Sequence, residues 1–331
     1  LTIYPRKKGA MTISVFILNL NPCYDHWVIL KQKPPIENVM RGDRVVKLVN
    51  GKGMDIGRVF NTIGFDDYLC INILGGQVGQ IIETQYQKEG LRCDDFWISD
   101  ESRINTAVVH EYKNTMEMIN EPGPIMTPAE IAGFSEFIAG RDYFKKEKIK
   151  PDDFLVISGS APRGFNSGKL VELLDFFQSL GMKIAVDIAG EWLKKIITKG
   201  LDLLKINGDE LRVAFDINDN DHSAIETFRK ENRIGLLIIT HGEKGSVAYS
   251  QEGVIKAVPK NVSTNFAVGS GDSYFAGLLY SIEKGEPLSE NIRFAASCGL
   301  SNTFHYGAGI MKREEIFDNL KKINVTEVAY A

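Results

Sequence analysis

The sequence predicts an α/β protein built on a mostly parallel sheet, and three observations carry that reading. From residue 154 onward, short apolar runs (154–158, 183–187, 203–206, 236–240) alternate with helical patterns (167–180, 191–199). Such alternation lays strands side by side and puts helices on both faces of the sheet. The early run 13–20, ISVFILNL, is continuously apolar and rich in β-branched residues, as a buried strand is. Finally, polar or glycine positions recur just past strand ends: Asp25, Ser158-Gly159-Ser160, Asp187, Asn207, and Thr240 with Gly242. Ligands collect outside the carboxyl ends of parallel strands.

The chain in order gives the following elements. Strand 13–20 ends at Asn21-Pro22, and Asp25 follows it, either a plain turn aspartate, which the residue alone favours, or a candidate ligand for sugar hydroxyls. Strands are expected at 27–30 and 44–49, joined by a polar segment with two prolines. In 50–64, NGKGMDIGRVFNTIG, two glycines flank Lys52. Met54, Ile56, Val59, Phe60 and Ile63 then share one face of a helix that stops at Gly64. This is not a P-loop, because the four-residue spacer and the following Ser or Thr are absent. A strand at 68–74, a helix at 78–88 and strands at 96–99 and 103–112 come next. A turn at 120–124 leads to a helix at 128–143. A hairpin is expected over 246–250 and 254–258, with closing helices at 292–306 and 314–323.

Bulk properties narrow the function. With 331 residues there is room for one large domain or two ordinary ones. A net charge of −4 argues against a general nucleic-acid binder, so an anionic ligand needs a local cluster of Lys and Arg. The four cysteines, Cys23, Cys70, Cys93 and Cys298, have no paired spacing. They read as thiols of a reducing, cytoplasmic compartment, neither a disulfide frame nor a zinc site. No apolar run approaches the ~20 residues of a membrane span. Residues 1–10, LTIYPRKKGA, lack the apolar core of a signal peptide and read as an extension outside the fold, with Met11 its natural start.

The most telling stretch is 268–277, VGSGDSYFAG. Glycines let the backbone approach a ligand, and a helix opening after such a turn aims free N–H groups at an anion. Asp272 sits at that opening. It is placed either as a base toward a hydroxyl that attacks phosphate, or as the plain N-cap of a core helix.

At this point the chain resembles the PfkB (ribokinase-like) sugar kinases, in the branch with 1-phosphofructokinase and tagatose-6-phosphate kinase. Seven segments carry the resemblance in order: ILNLNPCYD, NGKGMDIGRVF, RIN at 103–105, NEPGP at 120–124, SGSAPRG at 158–164, KINGDEL at 205–211 and VGSGDSYFAG. It implies a ribokinase-like three-layer sandwich with a small β-sheet lid. The core is expected at 11–23, 50–95 and 120–331, and the lid at 24–49 and 96–119. It also implies ATP with Mg²⁺, a sugar-phosphate substrate, and a homodimer paired through the lids.

Position by position, the resemblance makes Asp272 the general base and the N–H groups of Gly269, Ser270 and Gly271 an anion hole. Asp25, Gly51, Asp55 and Asn105 would face the sugar, with Lys52 and Arg103 on its phosphate. Lys205, Thr240 and Gly242 would contact ATP phosphates, and the stretch from Cys298 to Asn302 would lie beside the adenine. Asn207 and Glu210 would hold Mg²⁺ through water. The chain departs from the family motif at Asn50 (usually Gly), Asp55 (usually Asn), Ile206 (usually Pro), Phe266-Ala267 (usually Asn/Asp-Thr) and Ser270 (usually Ala). A carboxylate at Asp55 repels a phosphosugar unless it bonds hydroxyls or pairs with Lys52. The reaction expected is fructose 1-phosphate to fructose 1,6-bisphosphate. The alternatives are tagatose-6-phosphate kinase and a non-catalytic sugar-phosphate sensor.

Overall fold

The computed structural model describes residues 13–33, 39–260 and 266–328. The expectations for residues 1–10 and Met11 lie outside the described residues, as do the two prolines of the polar segment.

The chain opens with β1 (Val15–Asn19). An antiparallel pair, β2 (Cys23–Leu30) and β3 (Arg44–Asn50), stands apart from it. Next come α1 (Lys52–Ile63), β4 (Tyr68–Gly75), α2 (Gly76–Glu89) and β5 (Cys93–Ile98). β6 (Arg103–His110) and β7 (Thr115–Asn120) complete a four-stranded sheet of order β3-β2-β6-β7. α3 (Pro128–Ala139) begins with a capping box at Thr127 and Glu130. The repeating part then runs through β8 (Phe154–Ser158), α4 (Ser167–Leu180), β9 (Lys183–Asp187), α5 (Gly190–Ile196), β10 (Leu201–Asn207), α6 (Gly208–Phe215), α7 (His222–Glu231) and β11 (Ile234–Thr240). β12 (Ser246–Ser250) and β13 (Gly253–Pro259) form the expected hairpin. α8 (Ser270–Glu283), α9 (Leu288–Asn302), α10 (Arg313–Leu320) and β14 (Ile323–Glu327) close the chain.

The main sheet has ten strands in the order β14-β13-β12-β11-β10-β9-β8-β1-β4-β5. The seven from β11 to β5 are parallel; the last three are antiparallel. Period-two alternation explains the two cores. In β1, Phe16 and Leu18 face the layer of α3 to α7, while Val15 and Ile17 face α1, α8, α9 and α10. Both faces are covered, so the strand reads as one apolar run.

The sequence reading needs three corrections here. The strand assigned to the lid at 96–99 is the end of β5, which pairs with β4 in the main sheet. The lid therefore resumes only at β6. The last closing segment is a shorter helix followed by β14, an edge strand on β13. Residues 222–231, unassigned in the sequence, form α7. Among the described residues no helix is long and apolar enough to cross a membrane.

Candidate active site

Register brings the polar strand ends together. Asn19 pairs with Asn72, Ser158 with Asp187, and Asn207 with Thr240, all along one edge of the parallel sheet. Helices α1 and α8 open above this edge, and each opening needs glycine. Gly51 has φ 122°, and a Cβ there would meet Asn19 Oδ1 at 2.8 Å. Gly269 has φ 79°, and its Cβ would strike Ala308 at 2.3 Å. Any other residue would be strained and would push the loops apart.

Asp272 is not a helix cap: Gly269 is the N-cap, and Asp272 is the third residue of α8. Its carboxylate is buried, and Oδ1 has no hydrogen-bond partner among the described residues. Burial, with the nearby Asp187 charge, pushes the group up to about 6, against the pull of Lys52 and Lys205. The anion-hole expectation needs one change. Ser270 N–H turns back on Ala267 O at 3.1 Å, and Ser273 N–H closes the first helical bond to Gly269 O. The N–H groups of Gly269, Gly271 and Asp272 find no acceptor among the described residues. These are the donors left for an anion.

Two lysines converge on Asp187, a residue outside the predicted set of site residues. Lys52 Nζ lies 3.1 Å and Lys205 Nζ 3.0 Å from its Oδ2. Burial alone would raise Asp187, but the two ammonium groups hold it below the usual carboxylate range. Lys205 is itself buried, and its Nζ lies 3.3 Å from where a Cβ on Gly271 would sit. A cation thus stands against the glycine turn. Lys52 pairs with Asp187 and not with Asp55. Asp55 takes Arg58 instead, at 3.2 Å, one turn along α1. Arg58 also donates to Ala308 O, Val49 O and Glu89, tying α1 to β3, to α2 and to the loop at Ala308.

On one side of α8 lies a polar cleft of about 380 Å³. Asp25, Asn50, Gly51, Lys52, Asp55, Arg103, Asn105, Gly269 and Asp272 all line it. Asp25 sits within β2, where Asn50 Nδ2 and Cys23 Sγ donate to its two carboxylate oxygens. Asn105 is spent on Cys23 Sγ and on Glu121 N–H. Arg103 stands at the rim, braced on Asn21 O at 3.0 Å and Glu121 O at 3.4 Å.

On the other side is a less polar cleft of about 150 Å³. Thr240, Gly242, Ser270 and Gly271 line it, and Cys298 and Asn302 do not. Ala296, Gly299, Leu300 and Thr303 face it, the i, i+3, i+4, i+7 stripe of α9. Cys298 lies off that stripe, packed against Gly277. Asn302 braces the glycine turn, donating to Val268 O and accepting from Ile310 N–H. Within the stretch 298–302, helix phase thus turns Gly299 and Leu300 to the cleft.

Asn207 and Glu210 form a reciprocal capping box on α6, at 2.8 and 3.0 Å. One Glu210 oxygen is spent there, and no group of three or more His, Cys, Asp or Glu among the described residues could hold a metal. This donor set fits a hydrated cation carried mainly by a ligand's phosphates, not a dedicated metal cage.

A glycine turn with unspent N–H groups, between a polar cleft and a smaller, less polar one, is the layout of a group-transfer enzyme. The comparisons give the class its family. The model for the pfkB family of carbohydrate kinases matches residues 18–315. The chain belongs to this family, whose members are phosphotransferases with an alcohol acceptor. It is 27% identical over 320 residues to a tagatose-6-phosphate kinase of Staphylococcus epidermidis, covering 95% of this chain and 100% of the relative. Among solved structures, Escherichia coli phosphofructokinase-2 with substrates and products superposes with TM-score 0.84 at 23% identity, covering 93% and 99% of the two chains. A possible 1-phosphofructokinase from Thermotoga maritima gives 0.81 at 22%, covering 95% and 99%. These structures establish the shared fold.

Proposed function

We propose that the protein transfers the γ-phosphoryl group of ATP to a ketohexose monophosphate, fructose 1-phosphate before tagatose 6-phosphate. The observation that carries this is Asp272: buried, without a partner at Oδ1, and set between the two clefts beside the free N–H groups of α8.

The sugar lies in the polar cleft, its hydroxyls on Asp25 and Asp55 and its resident phosphate at Arg103. A guanidinium can grip a phosphate through two parallel bonds. ATP lies across the glycine turn with its base against the small residues of α9. Asp272 takes the proton of the acceptor hydroxyl as the oxygen bonds to the γ-phosphorus and the bond to the β-phosphate oxygen breaks. The N–H groups of Gly269, Gly271 and Asp272 receive the charge of the moving phosphoryl, and Lys205 adds a buried positive charge beside them. Asn207 and Glu210 would hold Mg²⁺ through water, and the ion would supply further neutralisation of phosphate charge. The four-stranded lid closes the cleft from above and excludes water.

The lid also supports a homodimer. Register puts Val28, Val45 and Ile119 on its outer face, and Val45 and Ile119 are 51% and 63% exposed. Pairing two such sheets would cover them.

The test is ADP release with Mg-ATP and fructose 1-phosphate, fructose 6-phosphate, tagatose 6-phosphate, fructose and ribose. Preference for one phosphosugar supports the reading. Turnover of free sugar alone would remove the phosphate role of Arg103, and binding without any turnover would make the protein a sensor.

A further inference from the structure

Three carboxylates, Asp25, Asp55 and Asp272, line the cleft assigned above to the sugar. Few cations are left to balance them. Lys52 and Lys205 pull on Asp272 but both bond Asp187, and Arg103 stands at the rim. Arg58 reaches Asp55 through Nη1 alone, and that nitrogen is shared with Ala308 O. Its other nitrogens go to Val49 O and Glu89. Three close carboxylates with so little neutralisation do not all ionise together.

Their surroundings sort them. Asp25 has a donor on each oxygen, from Asn50 Nδ2 and Cys23 Sγ, which suits a fixed acceptor. Asp272 is the group positioned as base. Asp55, 2% exposed, has one shared cation and two acidic neighbours. We propose that Asp55 meets the substrate as a carboxyl O–H donor while Asp25 accepts, so that the pair reads two hydroxyls and turns away any anion at the inner end of the cleft. The proposal rests on the kinase reading above and narrows its substrate class. The substrate must offer an uncharged, hydroxyl-bearing segment at Asp25 and Asp55 and carry its phosphate toward Arg103.

The electrostatics agree. Burial raises Asp55 well above the usual carboxylate range, and the Asp272 and Asp25 charges raise it further against Arg58. The ionisable and charged groups around it are Cys23 and Asp25 on β2, Arg58 on α1, Cys70 on β4, Glu89 at the end of α2 through Arg58, and Asp272 on α8. A donor held by a raised carboxyl is present at low pH and lost as pH rises. Sugar affinity therefore falls on the alkaline side.

The experiment is kcat/KM for the preferred sugar phosphate at saturating Mg-ATP from pH 5.5 to 9.5, for the wild type and Asp55→Asn. The amide keeps an acceptor for Arg58 and donates at every pH. The wild type should lose about tenfold on the alkaline side, in the KM for sugar and not for ATP. Asp55→Asn should stay flat there, and both should keep the acidic limb set by Asp272. An alkaline limb equal in both proteins, or none in the wild type, overturns the inference. If Asp55→Asn folds poorly, calorimetric binding of the sugar phosphate to the wild type at pH 9, in two buffers of different ionisation enthalpy, decides. Proton uptake supports the donor, and its absence refutes it. A wild type that phosphorylates no sugar phosphate would bring down the kinase reading and this inference with it. Turnover with identical pH profiles would remove this inference alone.

Discussion

The end of β9 and the start of α8 each present a buried aspartate to the same site, and the two are tuned in opposite directions. Asp187 at the end of β9 meets two ammonium groups at 3.0 and 3.1 Å and is held ionised. Asp272 in α8 has no partner at Oδ1 among the described residues and is pushed up to about 6. The first organises charge and is spent on structure; the second is left free for chemistry. Surroundings, not residue type, assign the roles.

The largest effect should come from Asp272→Asn. It should lower kcat by about 10²–10⁴ while ATP and sugar binding change little, as steady-state kinetics and calorimetry would show. The same variant should be more stable than the wild type above pH 6. The folded carboxyl of Asp272 binds its proton more tightly than the unfolded one, so stability falls as pH rises from about 4 through 6. The penalty is then fully present, on the order of 3 kcal/mol. Melting curves at pH 4 and pH 8 check the sign, since the gain should appear only at the higher pH.

Asp187→Ala should act the other way. Losing the carboxylate strands the buried Lys205, and breaking such a pair costs about 3 kcal/mol. Urea unfolding reads this directly. A variant as stable as the wild type would erase the contrast between the two aspartates. Arg103→Ala comes next: the KM for sugar phosphate should rise about tenfold with that for ATP nearly constant, and equal losses would give Arg103 another job. The smallest effect belongs to Tyr306→Phe. It removes the hydroxyl contact with Glu111 of the lid but keeps the ring, 4.3 Å from Phe266. An exposed bond of this kind is worth about 1 kcal/mol or less by thermal melt.

The sequence made local features legible and hid those set by distance. Buried parallel strands announce themselves as apolar runs, and the turns at Gly51 and Gly269 as glycines before amphipathic helices. Polar strand ends such as Asn207 and Thr240 align because register follows from the parallel sheet. In contrast, the partner of Lys52 lies 135 residues away, and nothing near either residue marks the pair. Cys298 and Asn302 were placed by motif order, whereas helix phase gives the cleft to Ala296, Gly299, Leu300 and Thr303. β14 is short and half-exposed, and its pairing with β13 leaves no strong pattern of its own. Arg58 was readable in principle, standing three residues after Asp55 on one helical face.

Asp272 as the base of a phosphosugar kinase has a kinetic signature of its own. Initial rates of ADP release with Mg-ATP and either fructose 1-phosphate or tagatose 6-phosphate, from pH 5 to 8, test it most directly in the wild type and Asp272→Asn. The wild-type rate should rise through about pH 6 and then level, and the variant should be slower by at least about a hundredfold with no such rise. A variant that turns over either sugar phosphate at close to the wild-type rate would contradict it.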